Sequence, residues 1–264
     1  MAEVEGVRTF QAPADAYDAF MGRYSRRLAP VFADFCGLRP GQSLLDVGCG
    51  PGAFTGVAIE RLGVHAVSAA DPVPHFVAAT RARYPGLEVV QASAEAIPYS
   101  DDRFDVGVAQ LVFHFVSDPT QGMREMARVV RPGGTVATAV WDFSEGMEML
   151  RAFWDAALVL WPDAPDEAHT MRFGREGELR DLLGSAGLED VVETTLTVSS
   201  EYGSFDELWD SILAGIGPAG AYLVAKPPED RAALREAMYE RVGSPSQPFV
   251  LRAVARAARG TASA

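Results

Sequence analysis

Apolar positions along the chain fall into two kinds of run, one periodic and one compact. Between positions 14 and 37, Tyr17, Phe20, Met21, Leu28, Val31, Phe32 and Phe35 recur at three- and four-residue intervals. That spacing predicts an amphipathic helix, which Pro40 and Gly41 bring to an end. A repeated couple follows, in which a short apolar run precedes an amphipathic stretch: 43–47 then 53–62, 66–70 then 74–84. The pattern continues through apolar runs at 87–91 and 105–110, a helical stretch at 119–130 and a run at 135–141. Alternation of this kind implies crossover connections and therefore parallel strands. Near-continuous apolar runs such as AVSAA and VGVAQ suit strands covered on both faces.

Beyond position 142 the rhythm lengthens into helical stretches at 147–160, 175–186, 205–214 and 228–242, interrupted by a strand-like run at 188–199. A last run, 248–257, satisfies part of both periodicities, and the small residues of 260–264 predict a fraying tail. The fold class expected is α/β: a doubly wound, mostly parallel, seven-stranded sheet with helices on both faces. One domain suits 264 residues of this pattern. Within it, 14–142 forms the core, and 144–242 is a mainly helical region carrying the strand near 188–199.

Composition narrows the function. With 48% hydrophobic and 22% charged residues the chain can bury a large core. Its net charge of −13 and pI near 4.7 set its overall field against phosphate backbones and anionic lipid, so neither nucleic acid nor membrane is expected as a partner. Cys36 and Cys49 lack metal or redox spacing. The first twenty residues lack the apolar stretch of an export signal, and no run approaches the roughly 18 apolar residues of a membrane span. These features predict a cytoplasmic protein.

Candidate chemistry is concentrated in the first half. In LLDVGCGPG, from Leu44 to Gly52, a strand runs into Gly48, Gly50 and Gly52 and then into a helix, which is expected to leave bare N–H groups open to a ligand's negative group. Asp71 closes the next strand, where doubly wound folds place the carboxylate that takes the ribose hydroxyls of an adenosine ligand. An adenosine cofactor is thus implied. The glycines alone do not choose it, since Gly48, Gly50 and Ala53 also satisfy the dinucleotide pattern G-x-G-x-x-G/A.

Four motifs in order make the choice. LDVGCGPG resembles the first signature of the class I S-adenosylmethionine-dependent methyltransferases, and Asp71-Pro72 resembles their ribose-binding motif. The segment from Ala92 to Tyr99, with Asp102-Arg103-Phe104-Asp105, resembles their adenine-binding segment and fourth strand, and Val129 to Gly134 resembles the turn before the fifth. The likeness is strongest to the small-molecule branch that includes ubiquinone/menaquinone and natural-product methyltransferases. It implies S-adenosyl-L-methionine as cofactor, S-adenosyl-L-homocysteine as product, a small organic substrate under a helical cover, and a terminal strand over 246–258.

Carried onto this chain, the resemblance assigns Gly48, Gly50 and Gly52 to the methionine portion, with Asp46 ordering the loop or the ammonium group. Asp71 and Pro72 take the ribose, Ala94 offers backbone to the adenine and Glu95 flanks it, while Ser93 stands where the family often has Asp. Gln110 lies beside the methionine carboxylate or the transfer site, and Tyr24 closes over the cofactor.

Methyl transfer is an in-line displacement, so positioning does most of the work and a base is needed only for a protic nucleophile. His114, just past the fourth strand, is the candidate base or substrate-orienting group, against the plainer reading of a packed loop histidine. His65, His75 and His169 lack zinc spacing, so no metal site is expected. Trp141 and Asp142 either line the pocket or belong to the core, and Trp154, Trp161 and Trp209 read first as helical packing. Asp163, Asp166 and Glu167, among prolines, read as a solvated turn. The alternatives are a macromolecular methyltransferase, a nicotinamide reductase and a non-catalytic adenosine-binding module. Ala109-Gln110-Leu111-Val112 stands where enzymes that methylate adenine or glutamine carry N/D-P-P-Y/F, and Pro51 within the loop disfavours a reductase, which would also need a Tyr-x-x-x-Lys pair.

Overall fold

A computed structural model describes residues 18–263. A short π-helical turn, Asp18–Gly22, leads into α1, Arg23–Cys36. Positions 14–17 of the first predicted helix lie outside the described residues. The chain then alternates through β1 (Leu44–Val47), α2 (Ala53–Leu62), β2 (Val67–Asp71), α3 (Pro74–Arg83) and β3 (Glu88–Gln91). β4 (Phe104–Gln110), α4 (Pro119–Val129) and β5 (Val130–Trp141) complete the first half.

The second half comprises α5 (Glu148–Leu160), the single turn α6 (Glu167–Thr170), α7 (Glu178–Ser185), β6 (Glu189–Tyr202), α8 (Phe205–Leu213), α9 (Gly217–Val224), α10 (Pro228–Arg241) and β7 (Phe249–Thr261). α6 and α9 are additions to the helices read from periodicity. α9 opens on Gly217-Pro218 and is too short to show a clear stripe.

The seven strands form one sheet in the order β3-β2-β1-β4-β5-β7-β6. β1 to β5 pair in parallel, and β7 runs antiparallel to both β5 and β6. Because β7 has a partner on each edge, pairing extends through Gly260 and Thr261, and Gly133 donates its N–H to the Ala262 carbonyl. The expected fraying from 260 is therefore corrected: this segment is interior backbone whose polar groups must be met by neighbouring strands.

Alternate residues of each central strand feed two cores. Leu44, Val106, Ala137 and Ala139 pack with α1, α5, α8, α9 and α10, whereas Leu45, Val47, Val136 and Val140 pack with α4 and α7. The strand order reverses between β1 and β4, and the crevice at their carboxyl ends is where such sheets receive ligands. No helix among the described residues is long and apolar enough to cross a membrane.

Candidate functional site

A cleft of about 110 Å³ opens at that crevice, lined by the β1–α2 loop, the ends of β2 and β4, and the segment around Ser93–Glu95. Asp46, Gly48, Gly50, Asp71, Pro72, Ala94, Glu95 and Gln110, all singled out from sequence, line it. Ser93 is there too. Gly52 sits at the start of α2, and Tyr24 and His114 are not among the lining residues.

The loop owes its shape to glycine. Gly48, Gly50 and Gly52 have φ of +71°, +52° and +91°, a region costly for other residues. A Cβ on Gly48 would lie 2.5 Å from Val112, and one on Gly52 would lie 2.6 Å from Tyr84. A Cβ on Gly50 would meet nothing within 4 Å among the described residues, because it would enter the cleft.

The expected bare glycine N–H groups are corrected, since each has an internal acceptor. Gly48 and Cys49 donate to the Ala70 carbonyl, Gly52 to the Cys49 carbonyl and Gly50 to Asp71 Oδ2 at 2.8 Å. The bonds of Gly48, Cys49 and Gly50 lash the loop to β2, where a flexible glycine run would otherwise be costly to order. The group left open is the first turn of α2, which has no side-chain cap.

Asp71 accepts from Gly50 with Oδ2 and from the Val73 N–H with Oδ1 at 2.9 Å, and each oxygen keeps a further lone pair. Burial raises its pKa to about 6 against the pull of those two bonds. Asp46 is fully enclosed and its pKa rises to about 7, mainly through burial, while the Thr55 hydroxyl donates to its Oδ2 at 2.6 Å and opposes the rise. Thr55, Thr80 and Tyr84 are supports that sequence reasoning missed. Thr80 Oγ1 donates to the Gly50 carbonyl at 2.7 Å and Tyr84 to the Gly52 carbonyl at 3.0 Å. Their apolar-patterned helices gave no sign of this.

Gln110 is held by one side of its amide. Nε2 donates to the Ser25 carbonyl at 3.1 Å, whereas Oε1 is buried with no partner among the described residues. An acceptor left unmet in a cleft is costly unless a ligand donor completes it. Glu95 lines the cleft while Oε1 accepts the Ser117 N–H at 3.0 Å, so it also fixes the loop after β4.

Tyr24 is placed away from the cleft, a correction to its expected role. It is completely buried, 3.2 Å from the Tyr202 hydroxyl and edge-on to Trp141, and it is Ser25 that brings α1 to the cleft wall. One helical periodicity could not say which of two adjacent residues faces the ligand.

His114 is likewise fixed. Nδ1 lies 2.8 Å from the Arg172 carbonyl and Nε2 accepts the Trp141 N–H at 2.9 Å, so the ring is neutral with Nδ1 protonated and both nitrogens are engaged. Burial drops its pKa to about 4. The base anticipated there has no free lone pair in this arrangement.

The acidic turn is corrected in part. Asp163 is exposed, but Asp166 and Glu167 are each only 3% exposed. Asp166 receives both guanidinium nitrogens of Arg151 at 2.8 Å, and Glu167 Oε2 accepts the Trp154 indole N–H at 2.8 Å. Trp154 is thus packed in the core, as is Trp209, while His65, His75 and His169 are exposed. The sequence does contain one Tyr-x-x-x-Lys spacing, Tyr222 to Lys226, but it lies at α9. Tyr222 packs on Trp154 and the Lys226 ammonium sits 3.9 Å over the Trp161 ring, apart from the cleft.

A second, more enclosed cavity of about 40 Å³ adjoins the cleft, and Leu111 and Phe115 line both. Leu111 adopts φ +65°, unusual for a branched residue, with its N–H held by the Ala139 carbonyl at 2.7 Å.

Residues 45–138 match the family model described as a methyltransferase domain. A malonyl-[acyl-carrier protein] O-methyltransferase from Halorhodospira halophila is 30% identical over 195 residues, covering 70% of this chain and 61% of that protein. The chain thus spans about three-fifths of that relative. Among solved structures, a presumed type II methyltransferase from Anaeromyxobacter dehalogenans aligns with a TM-score of 0.63 at 20% identity, covering 90% of this chain and 96% of that one. The [4+2]-cyclase SpnF aligns with a TM-score of 0.55 at 18% identity, covering 90% and 82%. These two likenesses are of fold.

Proposed function

We propose that this chain, which belongs to the class I S-adenosylmethionine-dependent methyltransferases, is a single-domain enzyme that binds S-adenosyl-L-methionine in the β1–β4 cleft and methylates a small organic molecule at O, N or C. One observation carries the reading. Asp71, the open floor at Gly50 and the unpartnered Oε1 of Gln110 surround a single cleft at the switch point of the sheet. The residues present fit that cofactor. Asp71 would take the ribose hydroxyls, and Pro72, Ala94 and Glu95 would border the adenosine end. Gln110 Oε1 would accept from the ammonium group, and the uncapped start of α2 would face the carboxylate.

When bound, the cofactor supplies a methyl group on a positively charged sulfur that leaves as a neutral thioether. The chain's own part is alignment and exclusion of water. Gly50 admits the ligand against bare backbone, and Asp46, ordered by Thr55, braces the loop from beneath. His114 serves as a strut, fixing the amide of Trp141 to the carbonyl of Arg172 across the end of β5. The buried free thiols of Cys36 and Cys49 support a reducing, cytoplasmic setting.

Calorimetric titration with S-adenosylmethionine, S-adenosylhomocysteine and NADP(H), on the native chain and on Asp71→Ala, tests the reading. Binding of the two sulfur nucleotides alone, weakened about a hundredfold by loss of charge-assisted hydrogen bonds, is expected. Binding of the nicotinamide instead overturns it.

A further inference from the structure

The second cavity has a chemistry of its own. Phe20, Met21, Phe143, Leu150, Ile216 and Ala219 make its walls apolar, and Leu111 and Phe115 join it to the cleft. Two of its lining side chains carry unused polar capacity. Among the described residues, Glu167 accepts Trp154 Nε1–H with one carboxyl oxygen only, and the indole N–H of Trp141 is buried with no acceptor. The one other titratable side chain in the lining among the described residues, His114, has both nitrogens engaged by backbone. Among the described residues, no lysine or arginine lines the cavity. A carboxyl placed in such walls is costly to maintain, since burial opposes its charge. The Trp154 bond and the turn of α6 nonetheless hold it there.

We propose that this cavity seats the methyl acceptor, that the acceptor is an uncharged, ring-sized molecule bearing a phenolic or enolic hydroxyl, and that Glu167 takes the hydroxyl proton. The inference rests on the methyltransferase reading above and deepens it. A hydroxyl is the group that uses both features: it donates to the carboxylate and its oxygen can accept from an indole N–H. An ammonium would leave the indole unmet, and a carboxylate substrate would face Glu167 with no cation to offset it. The malonyl thioester named for the Halorhodospira relative would bring such a carboxylate, so this chain is expected to differ from that relative in substrate.

The step balances. The hydroxyl oxygen forms its bond to the methyl carbon as the carbon–sulfur bond breaks, with that electron pair returning to sulfur. The hydroxyl proton passes to Glu167, whose charge neutralises as the sulfonium charge is lost. Burial lifts the Glu167 pKa to about 7, opposed by the Trp154 bond, while Asp166 raises it and Arg151 of α5 lowers it. A base tuned near neutrality suits proton removal from a weak acid.

The probe is para-nitrophenol, with para-nitrobenzoate as its anionic counterpart, titrated into the protein saturated with S-adenosylhomocysteine. Binding is read by calorimetry and by nitrophenol absorbance, which reports its protonation. The native chain is expected to bind the phenol and exclude the benzoate. Glu167→Gln keeps an acceptor for Trp154 and should weaken the phenol about tenfold or more by loss of one charge-assisted bond. Ala219→Leu, which fills the cavity, should block it, while both variants bind S-adenosylhomocysteine as the native chain does. Phenol binding that ignores both substitutions, preference for the benzoate, or no phenol binding overturns the proposal. Failure of S-adenosylhomocysteine to bind the native chain counts instead against the cofactor reading, and the phenol titration without it still tests the cavity.

Discussion

At the carboxyl end of β1 the chain shapes its site with backbone. Three glycines turn through positive φ, the N–H groups of Gly48 and Gly50 are fastened to β2, and the side chains that complete the lashing, Asp71, Thr80 and Tyr84, all do so by bonding main-chain groups. The helical cover is built the other way. Arg151 grips Asp166 with two nitrogens and Asp155 with one, Trp154 reaches Glu167, and these side-chain bonds fix the turn that carries the cavity's carboxyl. A site made of backbone leaves room for a ligand and depends on residues that are small. A site made of paired side chains depends on partners distant in sequence, and its cost falls on stability when one partner goes.

The largest expected effect follows from that contrast. Arg151→Met should strand Asp166, 3% exposed, without its partner. Breaking a buried pair of this kind costs about 3–5 kcal/mol, which lowers the melting temperature by roughly 10 °C in a chain of this size. S-adenosylhomocysteine affinity should stay within about twofold at temperatures where the variant is folded. A variant that melts normally but loses the cofactor would erase the division between the two regions.

Gly50→Ala should behave in the opposite sense. With φ at +52° the methyl group costs about 1 kcal/mol of stability, and it projects where no atom of the described residues lies within 4 Å. Calorimetry should show the cofactor weakened about a hundredfold, close to 2.7 kcal/mol, with only a small change in melting temperature. An unchanged affinity would mean that the cleft floor is not a contact surface.

The same division explains what could be read in advance. The placing of Gly48, Gly50 and Asp71 at one cleft was legible because a tight loop after one strand and a carboxylate at the end of the next recur at fixed spacing in doubly wound sheets, and the alternation of strands and helices in residues 43–141 leaves little topological choice. Glu167 was not legible. It stands in a Pro- and Asp-bearing turn that reads as solvated, and its burial depends on Trp154, thirteen residues earlier on another element. Tyr24 was misplaced because a periodic helix names a face, not the neighbour that each residue on it meets. Residues 260 and 261 were misread because a central antiparallel strand and a tail of small residues differ only in what lies beside them.

His114 gives a smaller effect with a distinctive pH signature. Its folded pKa of about 4 lies below the ordinary 6.5, so its contribution to stability is complete above 6.5 and is lost as pH falls toward 4. At pH 5 the loss amounts to about 2 kcal/mol. Asp46, Asp71 and Glu167 have raised values and act in the reverse sense, adding stability as pH falls. They are present in both proteins, so the difference between the native chain and His114→Gln isolates the imidazole. Urea midpoints should converge as pH drops from 6.5 to 5. Parallel profiles would show that the ring ionises freely and is no strut.

Thr55→Val is the smallest of these changes and the sharpest test of the backbone-built half. The hydroxyl donates to Asp46 Oδ2, both residues are fully buried, and valine matches the volume, so one hydrogen bond is removed and no cavity is made. The bond favours the ionised carboxylate and holds the Asp46 pKa down toward about 7. Below that value the carboxyl is protonated in the folded state, and the missing donor costs little. Above it the ion loses its support, so the native-minus-variant difference should grow from a few tenths of a kcal/mol at pH 5 to about 1–2 at pH 8. Urea denaturation at the two pH values reads this directly, and cofactor affinity at pH 8 should fall with it if Asp46 braces the loop. An equal loss at both would mean that Asp46 does not titrate in this range.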